Sequence, residues 1–384
     1  MIQHEIQSLA PRVFIVTSAF LVAMSSSMLR AKELVVTHVA PFGGALAAGA
    51  RDFNFGAQIA LAEANAAGGV NGHTFRLVSR DDGNRAVETQ RLLKASVQND
   101  APIAAIGLTN QAGVDALQKE NFLANSRLPV IAPRVSGTEL RDDPWLFHVR
   151  SSKRDELIKM TAQLQSLFRT RIAIVTEDDQ AGRDAAKAFV DAAKELGIAV
   201  VGSATFPANS LDFDQTIQRI NAAKPDAVLI SASTNASAVF IKKYRPDNRS
   251  VQVVVTSAAE PEIIVEQVGK ELARGVGLTT VMPNPARLSP AIASDFRRAV
   301  EQFKLTGIGR VNFSSMEGYV AARLLIAATR RAGSNPDGSS IKAALDAMRR
   351  VDLSGYFVEF DAARRNRAAL SELIVIGRDG ALLQ

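Results

Sequence analysis

From Leu34 onward the chain alternates short, continuous apolar runs with longer stretches in which apolar residues recur at helical spacing. The apolar runs are "LVVTHVA" (34–40), "TFRLVSR" (74–80), "IAAIGL" (103–108), "PVIAP" (129–133), "RIAIVT" (171–176), "AVVGSATF" (199–206), "AVLISAS" (227–233), "VQVVVTS" (251–257) and "VGLTTVM" (276–282). The stretches between them, 52–66, 85–98, 111–124, 153–168, 182–196, 212–223, 235–245 and 260–268, read as helices. Strands buried on both faces are apolar throughout, and helical connections of this length join parallel neighbours as βαβ units. The pattern therefore predicts an α/β fold of doubly wound parallel sheets.

The rhythm breaks twice. "RVSGTELRDDPWLFHVRSSK" (134–153) has no helical period, and "VMPNPARLSP" (281–290) is rich in proline. After the second break come helices over 289–305, 315–333 and 338–349 and strands over 356–361 and 372–377. Two series of βα units parted by breaks predict two Rossmann-like lobes, with a ligand in the crevice outside the carboxyl ends of the strands. The crowded glycines Gly68, Gly69 and Gly72 follow a helix and precede a strand. A phosphate cradle needs the opposite order, so they read as a helix stop and a turn.

Composition narrows the class. The 384 residues are 47% apolar and 22% charged, ordinary for a globular chain long enough for two domains. Val13–Met24 is an apolar run of twelve behind Arg12. A spanning helix needs about 20 residues, so the run, with small residues after it and Ala31 at a cleavage point, predicts a signal peptide over 1–31. Its removal takes away Arg12, Arg30 and Glu5 and lowers the formal charge of +6 by one. No cysteine is present, which excludes disulfides, thiolate metal sites and the lipid anchor of a lipoprotein. An exported periplasmic protein held together by a large core is the expectation. The basic runs "KKYR" (242–245) and "ARRNR" (363–367) are short and lack interleaved aromatics, so they read as solvated faces and no nucleic-acid partner is expected.

Catalytic signatures are missing: there is no Walker-type run, no Gly-x-Gly-x-x-Gly, no His-Glu-x-x-His and no Gly-x-Ser-x-Gly. The histidines at 4, 38, 73 and 148 are far apart, so neither a zinc site nor a cofactor is expected. Asp81-Asp82 reads as the cap of the following helix, and Lys153 as a surface lysine. Four loops after strands share a different character: Thr109-Asn110-Gln111, Ser136-Gly137, Asp178-Asp179-Gln180 and Ser233-Thr234-Asn235. Hydroxyls and amides at a helix N-terminus offer convergent donors to a carboxylate or other anion. Each loop also reads as a helix cap; the recurrence in both halves points to a binding cleft.

Several segments, in order, resemble the type I periplasmic substrate-binding proteins of ABC transporters, in the branch named for branched-chain amino acids: "RDFNFGAQIALAEANAAGGVNG" (51–72), "LPVIAPRVSGTELR" (128–141), "LFHVRSSKRDE" (146–156), "IAIVTEDDQAGRDAAKAF" (172–189), "KPDAVLISAS" (224–233) and "FSSMEGYVAARLL" (313–325). The resemblance implies two lobes joined by a three-strand hinge, over 32–150 plus 282–352 and 151–281 plus 353–384. It also implies a monomer that performs no chemistry, closes on a small molecule and docks on a membrane permease. It places a ligand carboxylate at Asn110 or Gln111, at Arg134 through its backbone and at Ser136 through its hydroxyl. In the second lobe it points to Ala181, to Ser233 or Thr234, and to Ser257-Ala258. "GALAAG" (44–49) and Ala181 stand where amino-acid-binding members place aromatics. The acid that pairs a ligand ammonium is replaced by Ser257 or Ala258, leaving Glu260 and Asp179 as candidates. These departures leave the ligand open between an amino acid and a larger or aromatic carboxylate. Two rival readings stay open on the same scaffold, a ligand-sensing regulator or receptor module and a periplasmic enzyme.

Overall fold

The computed structural model describes residues 32–135, 142–207, 210–305, 309–361, 364–368 and 370–383. The expected leader, together with Ser136 and Gly137, lies outside the described residues. The first lobe is built on β1 (Glu33–Ala40), β2 (Thr74–Asp81), β3 (Ala104–Ile106), β4 (Val130–Ile131) and β5 (Leu146–Phe147), all parallel, in the order β2-β1-β3-β4-β5. The second is built on β6 (Arg171–Glu177), β7 (Ala199–Phe206), β8 (Ala227–Ser231), β9 (Gln252–Val255) and β10 (Gly277–Thr280). These five are parallel in the order β7-β6-β8-β9-β10, which repeats the first. Near the chain end, β11 (Arg350–Leu353), β12 (Tyr356–Asp361) and β13 (Arg364–Ala368) form a small antiparallel sheet. Finally β14 (Glu372–Ile376) and β15 (Leu382–Leu383) add antiparallel strands beside β10.

Alternation along the buried strands serves both faces of each sheet. Leu34, Val36, Ala104 and Ile106 share a core with Phe53, Ile59 and Leu324, whereas Ala105, Val130 and Leu146 join Leu93, Val114 and Leu117 on the opposite face. In the second lobe Val175, Ile230 and Val255 pack with Phe213 and Phe240, and Ile174, Leu229 and Val254 with Leu157 and Phe189. The glycine cluster is a corner, as its order predicts: Gly69 N–H donates to Ala64 O at 2.9 Å and Gly68, Gly69 and Gly72 all have positive φ.

Three differences from the sequence reading follow from length and charge. β5 is two residues inside a segment read as irregular, too short to show a period. The helix expected over 111–124 is two helices, Gln111–Lys119 and Phe122–Ser126, parted at Asn121, whose φ of 52° no helix accommodates. Arg350–Leu353, assigned to no element, and Arg364–Ala368, most of it read as a solvated face, pair as strands with β12.

The chain crosses between the lobes three times, at 148–152, 281–290 and the segment around β12. The buried Tyr356 joins all three, its hydroxyl donating to Val149 O at 2.7 Å and lying 3.5 Å from Val281 O. The Ser151 hydroxyl donates to Leu370 O at 2.6 Å. Two helices of the first lobe, Ala47–Ala66 and Phe313–Arg331, meet almost backbone to backbone. A Cβ at Gly318 would lie 1.9 Å from Phe53 O, and one at Gly56 would lie 1.7 Å from Ser315 O. Gly318→Ala must therefore force the helices apart, and overpacking of this kind costs about 3 kcal/mol. Chemical denaturation should show that loss; a variant as stable as the parent would mean the contact is not tight in solution.

Candidate binding cleft

The loop after β4, the loop after β9, the end of β10 and the start of the helix Phe313–Arg331 converge on a cavity of about 20 Å³ between the lobes. That is room for about one water, so a solute can enter only if the lobes part or side chains move. Four charges line it. Arg134 Nε lies 3.2 Å from Glu317 Oε2, and its Nη2 lies 3.7 Å from Glu260 Oε1. Arg150 Nε lies 3.0 Å from Glu317 Oε1, and Arg150 Nη2 donates to Glu317 Oε2 at 3.2 Å. Glu317 is fully buried, which its two guanidinium partners make tolerable.

Glu260 joins the lobes. It precedes Pro261, the first residue of the helix Pro261–Val268 in the second lobe, yet its carboxylate does not cap that helix. Instead Ser314 Oγ, from the first lobe, donates to Glu260 Oε1, while Oε2 is buried with no hydrogen-bond partner among the described residues. Burial raises the Glu260 carboxyl above the ordinary range, opposed by the Arg134 charge and the Ser314 hydrogen bond. Further out, Arg310 N–H donates to Asp52 Oδ1 at 2.8 Å, and its guanidinium reaches across the lobes to Glu266 at 3.2 Å. The Arg310–Glu266 pair is exposed and worth at most about 1 kcal/mol.

The residues expected from sequence are dispersed along this edge. Asn110 caps the helix Gln111–Lys119, accepting from Gly113 N at 2.8 Å and donating to Asn84 O at 2.8 Å. Gln111 opens that helix and is half-buried. The Arg134 N–H, proposed for the ligand, donates to Leu108 O at 2.8 Å inside the first lobe, and it is the guanidinium that enters the cleft. Asp179 caps its helix through Gly182 N at 2.7 Å, with half-buried Ala181 beside it. Ser233 occupies an N-cap position without capping, because its hydroxyl donates to Glu177 Oε1 at 3.0 Å. Thr234 Oγ1 accepts from Glu260 N at 3.1 Å and so holds the Glu260 backbone. Ser257 lines the cavity and Ala258 is exposed. Of the expected residues, then, Arg134, Ser257 and the candidate acid Glu260 line the cavity and Thr234 supports it.

Two expectations change. Lys153 is not a surface lysine: its Nζ lies 2.8 Å from Glu156 Oε2, with the side chain 15% exposed and Glu156 buried. Burial alone would raise the Glu156 carboxyl, but Lys153 together with the Ser257 N–H and the Thr279 hydroxyl outweighs it and holds the group below the ordinary range. Asp82 does not sit at the helix N-cap, which is Arg85; it accepts from Asn84 N at 2.8 Å in an Asx turn and from the Thr89 hydroxyl at 2.7 Å.

Comparison with known proteins decides the family. A sequence profile described as periplasmic binding protein matches residues 33–375. The chain belongs to the periplasmic binding protein family. A Leu/Ile/Val-binding protein homolog from Brucella abortus is 25% identical over 94% of this chain and 95% of its own length. A substrate-binding periplasmic protein from Ralstonia solanacearum superposes with a TM-score of 0.86 at 30% identity, covering 92% of this chain and all of the other. An isoleucine complex of a branched-chain amino acid transporter binding protein from Streptococcus pneumoniae has a TM-score of 0.79 at 19% identity, covering 91% and 97% of the two chains. The family and the solved structures that this chain resembles are binding proteins and not enzymes.

Sequence reasoning missed Arg150, Ser314, Glu317 and the guanidinium of Arg134. One signal was available: Glu317 is the single acid in the helix "FSSMEGYVAARLLIAATRR", set in a run of small and apolar residues, and an acid buried there needs a partner. Two predictions follow from the charges. Glu317→Gln leaves two buried guanidinium groups short of a counter-charge and should cost about 3 kcal/mol in denaturant unfolding. A loss below the error of the measurement would mean that the arginines find water instead. Burial, with Glu260 and Asp52 nearby, pushes the Glu262 carboxyl up to about 7 from 4.5. An acid with a raised folded value stabilises most when protonated, so its contribution falls as the pH rises from about 4.5 to about 7. Glu262→Gln should flatten the pH dependence of stability across that window, and an unchanged slope would contradict the assignment.

Proposed function

We propose that this protein captures a small solute bearing a carboxylate, an amino acid or an aromatic or other organic acid, between its lobes and delivers it to the permease of an ABC transporter. The observation that carries this reading is the Arg134 guanidinium in the cleft, 13% exposed, with Ser314 lining the same cavity, the Arg134 Nε 3.2 Å from Glu317 and its Nη2 3.7 Å from Glu260. A buried guanidinium is suited to a carboxylate through charge-assisted, directional hydrogen bonds. Asn110, Gln111, Ser136, Gly137, Asp179, Ala181, Ser233, Thr234, Ser257 and Ala258 supply the surrounding walls in this reading, and Arg134 is the anchor. The lobes, 32–150 plus 282–352 and 151–281 plus 353–384, then hinge about the crossings gathered by Tyr356. The mature protein acts as a monomer in the periplasm after loss of its leader.

Each lobe alone makes part of the contacts, so affinity is greatest when both engage, and that difference drives closure. A Kd near micromolar, roughly −8 kcal/mol, is enough for capture. Native mass spectrometry of freshly purified protein should find a co-purifying carboxylate. The same compound, added to ligand-stripped protein, should raise the melting temperature and compact the particle in small-angle scattering. A broad panel of amino acids, aromatic acids and their amides that moves neither quantity, or that favours the amides, would overturn the proposal.

A further inference from the structure

We propose that Glu260 is an internal carboxylate seated where the solute carboxylate binds, in a seat formed by the Ser314 hydroxyl and the Arg134 guanidinium, so that solute entry exchanges one carboxylate for another. The inference rests on the solute being a carboxylate and adds to it the subsite and the means by which the lobes are held together. The geometry is that of a bound anion. One oxygen of Glu260 accepts from Ser314 Oγ and faces Arg134 Nη2 at 3.7 Å, both groups belonging to the opposite lobe. The other oxygen is buried beside the cavity with no hydrogen-bond partner among the described residues. The Glu260 carboxylate thus leaves the N-terminus of its own helix uncapped and takes its hydrogen bond from the opposite lobe.

The seat is built on the first lobe and is rigid. Ser314 lies in the first turn of the helix Phe313–Arg331, which is fixed by the Asn312 and Ser315 capping box. Arg134 is held by Glu317 Oε2 at 3.2 Å. Gly49 closes the seat from the side: a Cβ there would lie 3.4 Å from Arg134 Nη1 and 3.8 Å from Ser314 Oγ. Charge completes the argument. Among the charges that line the cavity, Arg134 and Arg150 against Glu317 leave one positive charge, which Glu260 balances, while the nearby Asp52 is paired with Arg310. The seat is therefore matched to a monoanion.

The test uses the mature chain, stripped of ligand, with acetate as the probe and chloride at equal ionic strength as the control. Glu260→Ala removes the internal carboxylate and leaves space for acetate. The variant should be more expanded than the parent in small-angle scattering. Millimolar acetate should restore the compact form and raise its melting temperature by about 2 °C more than chloride does, while the parent shows no such difference. Adding Ser314→Ala should abolish the response. A Glu260→Ala variant that stays as compact as the parent, or that answers acetate and chloride alike, overturns the inference. Should that variant not fold, Glu260→Gln keeps the shape and removes the charge; it should open the lobes, and a Gln variant as compact as the parent overturns the inference equally. Because the probe is acetate and not the solute, failure here is separate from failure of the capture reading, which the solute panel decides.

Discussion

The buried carboxylate of Glu317 is the constraint on which the cleft depends. A charge with no exposure must be met by groups that cannot drift away, and two separate parts of the chain supply them: the loop after β4 through Arg134, and the first interlobe crossing through Arg150. Its depth is set by the neighbouring residue. Gly318 lets the helix approach Phe53 O so closely that no side chain fits between, and Glu317 is thereby held at the level of the two arginines. Core packing and cleft electrostatics are thus one problem solved by adjacent residues.

The second constraint is topological. Both lobes wind their parallel strands in the same order, with the first and third strands as neighbours at the point where the winding reverses. At such a point a crevice opens beyond the strand ends, and in this protein many of its polar groups are already occupied. In the second lobe Glu177, at the end of β6, takes the hydroxyl of Ser233 after β8. In the first, Asn110 satisfies its own helix and the turn at Asn84. Groups already paired cannot meet a solute without losing a partner, a cost of roughly 1–3 kcal/mol for each buried donor or acceptor left unmet. The recognition load therefore shifts to the side chains at the lobe contact.

Most of the architecture was legible because burial imposes period. Strands such as Ala199–Phe206 and helices such as Lys153–Ser166 match the apolar pattern to within two residues, since each must hide a face from water. The family resemblance was legible from the same segments. Elements too short or too charged to show a period were not: β5 has two residues, and β11 and β13 are strands through their pairing with β12 and not through their own composition. The cleft was legible only as loops. Hydroxyls and amides after strands are visible in sequence, but whether they cap a helix or face a solute depends on neighbours far along the chain. Arg134, Arg150, Glu260 and Glu317 come from four distant segments, and nothing local marks them as partners. Lys153 shows the limit, since an ion pair three residues along its own helix was less informative than the burial of that pair beneath Ser257 and Thr279.

Electrostatic balance links the two lobes to ligand choice. With two guanidinium groups facing two carboxylates, the contact is neutral, and only one of the carboxylates, Glu260, belongs to the second lobe. Glu317 cannot leave without exposing both arginines, whereas Glu260 is attached to one hydroxyl and stands 3.7 Å from one guanidinium nitrogen. The mobile charge is therefore the one that bridges the lobes. Parting the lobes separates Glu260 from Arg134 and leaves a partly desolvated cation, which water serves poorly and an incoming carboxylate serves well. A neutral solute of the same shape would leave the two guanidinium groups to share the single carboxylate of Glu317. If the solute is the carboxylate proposed above, discrimination against neutral analogues would come from the first lobe alone, before closure, and the second lobe would contribute the contacts that tell one carboxylate from another.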